Sequence, residues 1–116
     1  RFIETVRCGE GVVWFDFIDI CDGPRGIADY IAISKQYQTV LLANIPIMDD
    51  YANDIVKRFI TLIDEFYDRN VKLIITAEAE PNGLYLGARL SESFRRTISR
   101  LEEMRTHDYL AKQHLP

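Results

Sequence analysis

Two short apolar runs separated by one amphipathic stretch constrain this chain more than any other feature. Thr39-Val40-Leu41-Leu42-Ala43 leads into Asn44-Ile45-Pro46, and Val71-Lys72-Leu73-Ile74-Ile75-Thr76-Ala77 leads into Glu78. Short runs that are apolar on both faces suit the strands of a parallel sheet covered on both sides. Between them Ile55, Val56, Phe59, Ile60, Leu62, Ile63, Phe66 and Tyr67 recur at helical spacing. At about 100° per residue they fall in an arc of roughly 160°, with Lys57, Arg58, Thr61, Asp64 and Asp68 outside it. A helix between two buried strands is a crossover, so the strands are expected to be parallel and the connection right-handed.

The same period decides a motif. Leu62-Ile63-Asp64-Glu65 spells the ending of a Walker B strand, whose acids hold Mg²⁺ and position water beside a phosphate loop. On a helix, both carboxylates fall off the apolar arc and become surface charges.

The flanks complete the expected fold. Arg1 to Arg7 alternates as a strand, Gly9-Glu10-Gly11 is a turn, and Val12 to Ile20 reads as a second strand. In that register Cys8 faces Val12 and Cys21 lies past the first strand's end, so both are expected as free thiols. Asp16 and Asp19, an odd number apart on a strand, point to opposite faces and make no acid pair. Ile27 to Tyr37 reads as a helix with Ile27, Tyr30, Ile31 and Ser34 inward, and Leu84 to Arg89 as a loose connection after the Pro81-Asn82-Gly83 turn. Ser91 is the expected N-cap of a final helix striped by Phe94, Ile98, Leu101 and Met104, which bends or ends near Thr106-His107. The expectation is a single α/β domain over residues 1–116: an N-terminal β-hairpin plus a parallel βαβ core, in the order ββαβαβα, the mixed sheet flanked by helices.

Composition narrows the function. With 116 residues, 47% of them apolar, the chain can bury roughly two-thirds of its surface in one core. No apolar run approaches the roughly 20 residues of a membrane span. A net charge of −4 argues against general nucleic-acid binding, which relies on several Lys and Arg contacts to phosphate. The charge is uneven, though: from Arg89 onward six basic residues meet four acids, making the last helix locally cationic. His107 and His114 have no cysteine or carboxylate at a familiar ligand spacing, and no nucleophile–base constellation marks an independent catalyst. A strand pattern that begins at Arg1 without a Met suggests a piece of a longer protein.

A set of short matches then points to a family. Trp14-Phe15-Asp16-Phe17, Ile20-Cys21, Asp29-Tyr30, Lys57-Arg58-Phe59-Ile60 with Leu62-Ile63-Asp64 and Tyr67, and Val71-Lys72-Leu73 with Ala77-Glu78 occur in order. Phe94, Arg96-Thr97, Ser99-Arg100-Leu101 with Glu103-Met104, and Tyr109-Leu110 follow. Together they resemble the C-terminal third of the ZapE-type ATPases, bacterial cell-division proteins with mitochondrial AFG-like relatives; Lys57 departs from the family's usual second arginine. The resemblance implies a cytoplasmic P-loop ATPase of the AAA+ kind that binds ATP and Mg²⁺ through Walker A and Walker B motifs upstream of Arg1. This chain has no Gly-x-x-x-x-Gly-Lys-Ser/Thr, so the isolated piece is expected neither to bind those cofactors nor to hydrolyse ATP. It would complete the ATPase, which can oligomerise, or present a surface to partners.

Two roles compete on the residues. Arg58, Arg96 and Arg100 lie off the apolar stripes of their helices, where a guanidinium can reach a transferring phosphoryl group in cis or in trans. The plainer alternative is surface pairing, Asp54 with Arg58 and Glu92 with Arg96, contributing about 0.3–0.5 kcal/mol each. The second role is docking of a division protein such as FtsZ, or of a membrane-protein client, partners implied by the resemblance. Tyr30, Tyr37, Tyr51, Tyr85 and Tyr109 are the candidate anchors if exposed.

Overall fold

The computed structural model describes residues 3–116. Strands β1 (Arg7–Gly9) and β2 (Val12–Asp16) form an antiparallel hairpin; β2, β3 (Thr39–Ile45) and β4 (Lys72–Ala77) pair in parallel, and the sheet order is β1-β2-β3-β4. Helices α1 (Phe17–Cys21) and α2 (Ile27–Gln36) connect β2 to β3, α3 (Asn53–Asp68) connects β3 to β4, and α4 (Ser91–Glu103) and α5 (His107–Leu110) follow. The class is mixed α/β with an N-terminal hairpin.

The hairpin differs from expectation in register. Gly9 pairs with Val12 and Cys8 with Val13, so the loop is the two residues Glu10 and Gly11, with Gly11 at φ 73°. A two-residue loop of this kind needs a left-handed backbone, which glycine adopts at no steric cost. The first strand is Arg7–Gly9 where Arg1 to Arg7 was expected. Arg1 and Phe2 of that expected strand lie outside the described residues.

The second strand stops at Asp16, and the chain turns into α1. Phe17, Ile20 and Cys21 have the helical spacing i, i+3, i+4 and are 3%, 0% and 0% exposed. A strand would send Phe17 and Ile20 to opposite faces; the short helix buries both. Asp19 therefore belongs to α1, which replaces the strand-parity argument about Asp16 and Asp19. In α2 the buried residues are Tyr30, Ile33 and Ser34, while Ile27 is 55% exposed, so the inner face is rotated from the expected one.

Helix α3 buries Val56, Phe59, Ile60, Leu62, Ile63 and Phe66, as its periodicity requires. Phe59 links three elements, meeting Phe17 edge-on at 5.6 Å and stacking on Phe94 of α4 at 6.2 Å. Ser91 is the first residue of α4 rather than its cap; its hydroxyl donates back to the Ala88 carbonyl at 2.9 Å. The helix ends at Glu103, and Thr106 caps α5 by accepting from the Tyr109 amide. Tyr109 fixes α5 to the sheet: it is 1% exposed and donates to the Val71 carbonyl at 2.7 Å.

Because strand order follows chain order from β2 to β4, both crossovers place their helices on one face. Val13, Phe15, Val40 and Leu42 are buried beneath them, each at most 2% exposed. On the opposite face Trp14 and Leu41 are half-buried, and Val12 and Ile74 are exposed. The described residues thus cover one face of the sheet, where cover on both was expected.

Candidate functional site

The three arginines singled out in the sequence hold different positions. Arg100, on α4, forms an ion pair with Asp64 of α3, and its guanidinium lies 5.1 Å from the centre of the Tyr67 ring. Both side chains of the pair are about one-quarter exposed, 26% and 27%. Arg58 is half-buried and donates to the Cys21 carbonyl at 3.3 Å, tying α3 to the end of α1. Arg96 is exposed, one turn before Arg100, and its guanidinium has no ion pair or hydrogen bond among the described residues. Neither expected neighbour pair, Asp54 with Arg58 or Glu92 with Arg96, is among the ion pairs of the described residues. The partners of Arg58 and Arg100, the Cys21 carbonyl and Asp64, belong to different elements, so no shared partner joins these arginines.

The commitments follow from helix geometry. Helices α3 and α4 run alongside each other, with Phe59 against Phe94, Asp64 against Arg100 and Tyr67 against Glu103. Residues flanking that seam meet across it; Arg96, one turn before Arg100 on the same side of α4, is exposed and makes no such contact. The helix carrying Arg96 is held by buried Phe94, Thr97 and Leu101, so its backbone is fixed while its head group is uncommitted. Arg89 and Arg95 are likewise exposed beside it, which makes the start of α4 a cationic surface.

The Walker B look-alike is engaged by cations. Asp64 pairs with Arg100, and Glu65 pairs with Arg69 one turn along α3 at 3.0 Å. Carboxylates on a helix surface, each held by an arginine, do not match a Mg²⁺ site at the end of a buried strand. Among the described residues no group of three or more His, Cys, Asp or Glu could hold a metal ion. Asp64 and Glu65 therefore do not make a Walker B site.

The carboxyl ends of the parallel strands, the usual place for ligands in open α/β sheets, carry an organised polar region. The Asn44 side chain donates to Asp16 at 2.6 Å, and the Asn44 amide is capped by the Thr76 hydroxyl at 2.8 Å. Asn44 takes φ 66°, which breaks the register between β3 and β4. Beyond it Met48 bridges to Tyr85, so the segment from Leu84 to Arg89 is tied down rather than loose. Asp50 is the clasp. It accepts from the Ala88 and Arg89 amides at 3.0 and 3.1 Å and from the Tyr85 hydroxyl at 2.8 Å. The Ala88 amide first, then Tyr85 and the Arg89 amide, hold its carboxyl well below the usual carboxylate range. A Cβ on Gly87 would come within 2.7 Å of the Asp50 carboxylate, so the clasp requires glycine there.

The tyrosines divide sharply. Tyr30 and Tyr109 are buried, each with its hydroxyl bonded to a backbone carbonyl, and Tyr37 and Tyr85 are half-buried. Tyr51 alone of the five candidates is fully exposed, at 100%, and Leu86 and Ile47 on the same clasped loops are 70% and 43% exposed. Cys8 and Cys21 are both free thiols, and burial pushes the Cys21 thiol far above its ordinary range, which makes it inert. No helix among the described residues is long and apolar enough to cross a membrane.

Comparison with known proteins adds the remaining finding. The chain matches the model of the AFG1-like ATPase family over residues 1–113. It is 42% identical over 115 residues to the cell division protein ZapE of Escherichia coli (strain K12), which covers 99% of this chain and 31% of that protein. It is 31% identical over 97 residues to lactation elevated protein 1 homolog B of Danio rerio, covering 84% of this chain and 19% of that protein. The chain thus spans about a third or less of the length of these relatives. No solved structure matches it.

Proposed function

Because this chain belongs to the AFG1-like ATPase family, we propose that it is the C-terminal α/β domain of a ZapE-like ATPase and supplies cationic side chains to that enzyme's nucleotide site. ATP and Mg²⁺ bind in parts of the polypeptide upstream of Arg1, in a cytoplasmic protein that serves cell division as the name of its bacterial relative states. The observation that carries this reading is Arg96: an exposed guanidinium with no ion pair or hydrogen bond among the described residues, on a helix whose backbone is fixed by its buried stripe. Arg58 and Arg100, already bound to the Cys21 carbonyl and to Asp64, are the weaker candidates.

The test is Arg96→Ala in the full-length protein, with ATP turnover and melting temperature measured together. An exposed side chain without partners should change stability by no more than about 0.5 kcal/mol. A guanidinium on the transferring phosphoryl group is worth on the order of 10³–10⁵ in rate, so even a partial role lowers turnover at least tenfold. Unchanged turnover would remove Arg96 from the site.

One observation favours a second reading, in which the domain docks a division protein such as FtsZ or a client. Tyr51, Leu86 and Ile47 are exposed large apolar side chains on two loops that the Asp50 clasp ties together. Tyr51→Ala would then weaken partner binding and leave basal turnover intact.

A further inference from the structure

The open face of the sheet is an apolar surface with polar ends. Register places Arg7, Trp14, Leu41 and Ile74 in one row across all four strands, with Gly9, Val12, Thr39 and Lys72 in the row beside it. Trp14 and Leu41 are half-buried only, while Ile74 is 56% and Val12 38% exposed. Trp14 and Leu41 line a shallow depression of about 220 Å³ together with Arg7, Cys8, Gly9 and Val12. At one end of the face lie Asp16, Asn44 and Thr76; at the other, Lys72 is held by the Asn70 and Lys112 carbonyls.

Two facts say that something covers it. All-parallel sheets occur almost only with both faces covered, because their crossovers supply apolar layers there, and three of the four strands here pair in parallel. In this domain both crossovers and α4 lie on the same side, so a central parallel strand presents Leu41 to a face that no helix among the described residues covers. A row of large apolar side chains across several strands is also more than the scattered exposure ordinary to a surface.

The relatives identify the occupant. The alignment takes in 99% of this chain but 31% of the ZapE polypeptide, so more than twice this length of chain lies outside the aligned region. A segment tethered to the domain meets the face at an effective concentration in the millimolar range, which a separate partner rarely matches. We propose that the nucleotide-binding part of the same polypeptide, upstream of Arg1, lays an apolar layer across Trp14, Leu41 and Ile74 and makes this a three-layered sheet. The inference rests on the reading of this chain as a domain of a ZapE-like ATPase.

The test is thiol accessibility in the full-length protein, with Cys8→Ser as background and peptide mapping to read each site. Ile74→Cys places a thiol on the open face, and Tyr51→Cys places one on the fully exposed loop as reference. The Ile74→Cys thiol should react with a maleimide at least roughly tenfold more slowly than the reference, because reaction requires local opening of the covering layer. Protection should persist on dilution to a monomeric mass. Equal reactivity of the two thiols overturns the proposal. Protection that disappears with dissociation of an oligomer also overturns it, assigning the face to a second copy, as does protection that requires an added partner protein. ATP turnover on the same samples separates the two failures: an active ATPase with a reactive Ile74→Cys thiol refutes the covering layer alone, and a protected thiol in a protein without ATPase activity refutes the enzymatic reading alone.

Discussion

Breaking the Asp64–Arg100 contact distinguishes a structural seam from a catalytic pair of acids. In Arg100→Ala the chain loses a partly exposed ion pair, worth about 0.2–1 kcal/mol, and a cation–π contact with Tyr67, worth about 0.5–1 kcal/mol. The sum, about 1–2 kcal/mol, corresponds to a melting temperature lower by roughly 4–10 °C in a domain of this size. Asp64→Asn keeps an oxygen acceptor for the guanidinium and gives up only the charge, so about 0.5–1 kcal/mol is expected. The double variant should cost less than the two singles added, with a coupling of about 0.5–1 kcal/mol, because both remove the same contact. Turnover of the full-length protein, measured beside melting temperature, should fall only as far as the lost stability accounts for. Glu65→Gln, whose partner is Arg69 on the same helix, should be milder still. A collapse in turnover for Asp64→Asn or Glu65→Gln at unchanged melting temperature would mean that these acids work on Mg²⁺, and the helical assignment of their role would be wrong.

Two further outcomes follow from buried and clasped oxygens. Tyr109→Phe should destabilise the domain by about 1–3 kcal/mol in chemical denaturation, since it leaves the Val71 carbonyl without its buried donor. The Asp50 clasp should give an acid-sensitive loop. Its carboxyl is held below the ordinary value, so its stabilisation is complete above about pH 4 and is lost as pH falls from there toward the lower folded value. The protection of the Ala88 and Arg89 amides from hydrogen exchange, taken relative to the intrinsic rate at each pH, should fall over that window, and Asp50→Asn should remove that fall.

The parts legible in the sequence were those with a long, undisturbed period. The stripe of α3 and the two apolar runs beside it needed no partner to be recognised, and the drift after Met104 located the break before α5. The stretch from Val12 to Ile20 carried both periods at once: it alternates, yet Phe17, Ile20 and Cys21 also share a helical face. A nine-residue run cannot settle that choice by itself. What ends β2 at Asp16 is its pairing with Ala43 and the turn of β3 at Asn44, information held in another strand. The same limit hid the Asp50 clasp, whose partners lie 35 to 39 positions away. It also misdirected the arginines. Neighbours four residues away were the visible candidates, whereas Arg100 reaches back 36 positions to Asp64 and Arg58 reaches 37 to a carbonyl. Two of the five candidate tyrosine anchors drop out for a different reason: Tyr30 and Tyr109 are amphipathic enough to fill the core while bonding a carbonyl, and composition does not tell that use from an exposed one.

The two unoccupied surfaces of the domain bear on each other through the layering. The apolar row of Trp14, Leu41 and Ile74 lies on the open side of the sheet, and α4 packs with α3 in the helical layer on the other side. If the upstream part of the polypeptide takes the open face, the sheet stands between that part and the outward side of α4. Arg96, exposed in the helical layer, then stands across the sheet from the nucleotide site of its own chain and is available to that of a neighbour. Arginine fingers operate in trans as readily as in cis, provided that the helix presenting them is held rigidly. The buried stripe of α4 supplies that rigidity through Phe94, Thr97 and Leu101. On this geometry the loss caused by Arg96→Ala belongs to the assembled protein: turnover per chain should rise with assembly in the natural sequence and remain at the monomer's rate in the variant. An Arg96 effect of equal size in a dilute, monomeric preparation would place the guanidinium on its own chain's nucleotide, and the covering layer would then have to leave α4 a path around the sheet.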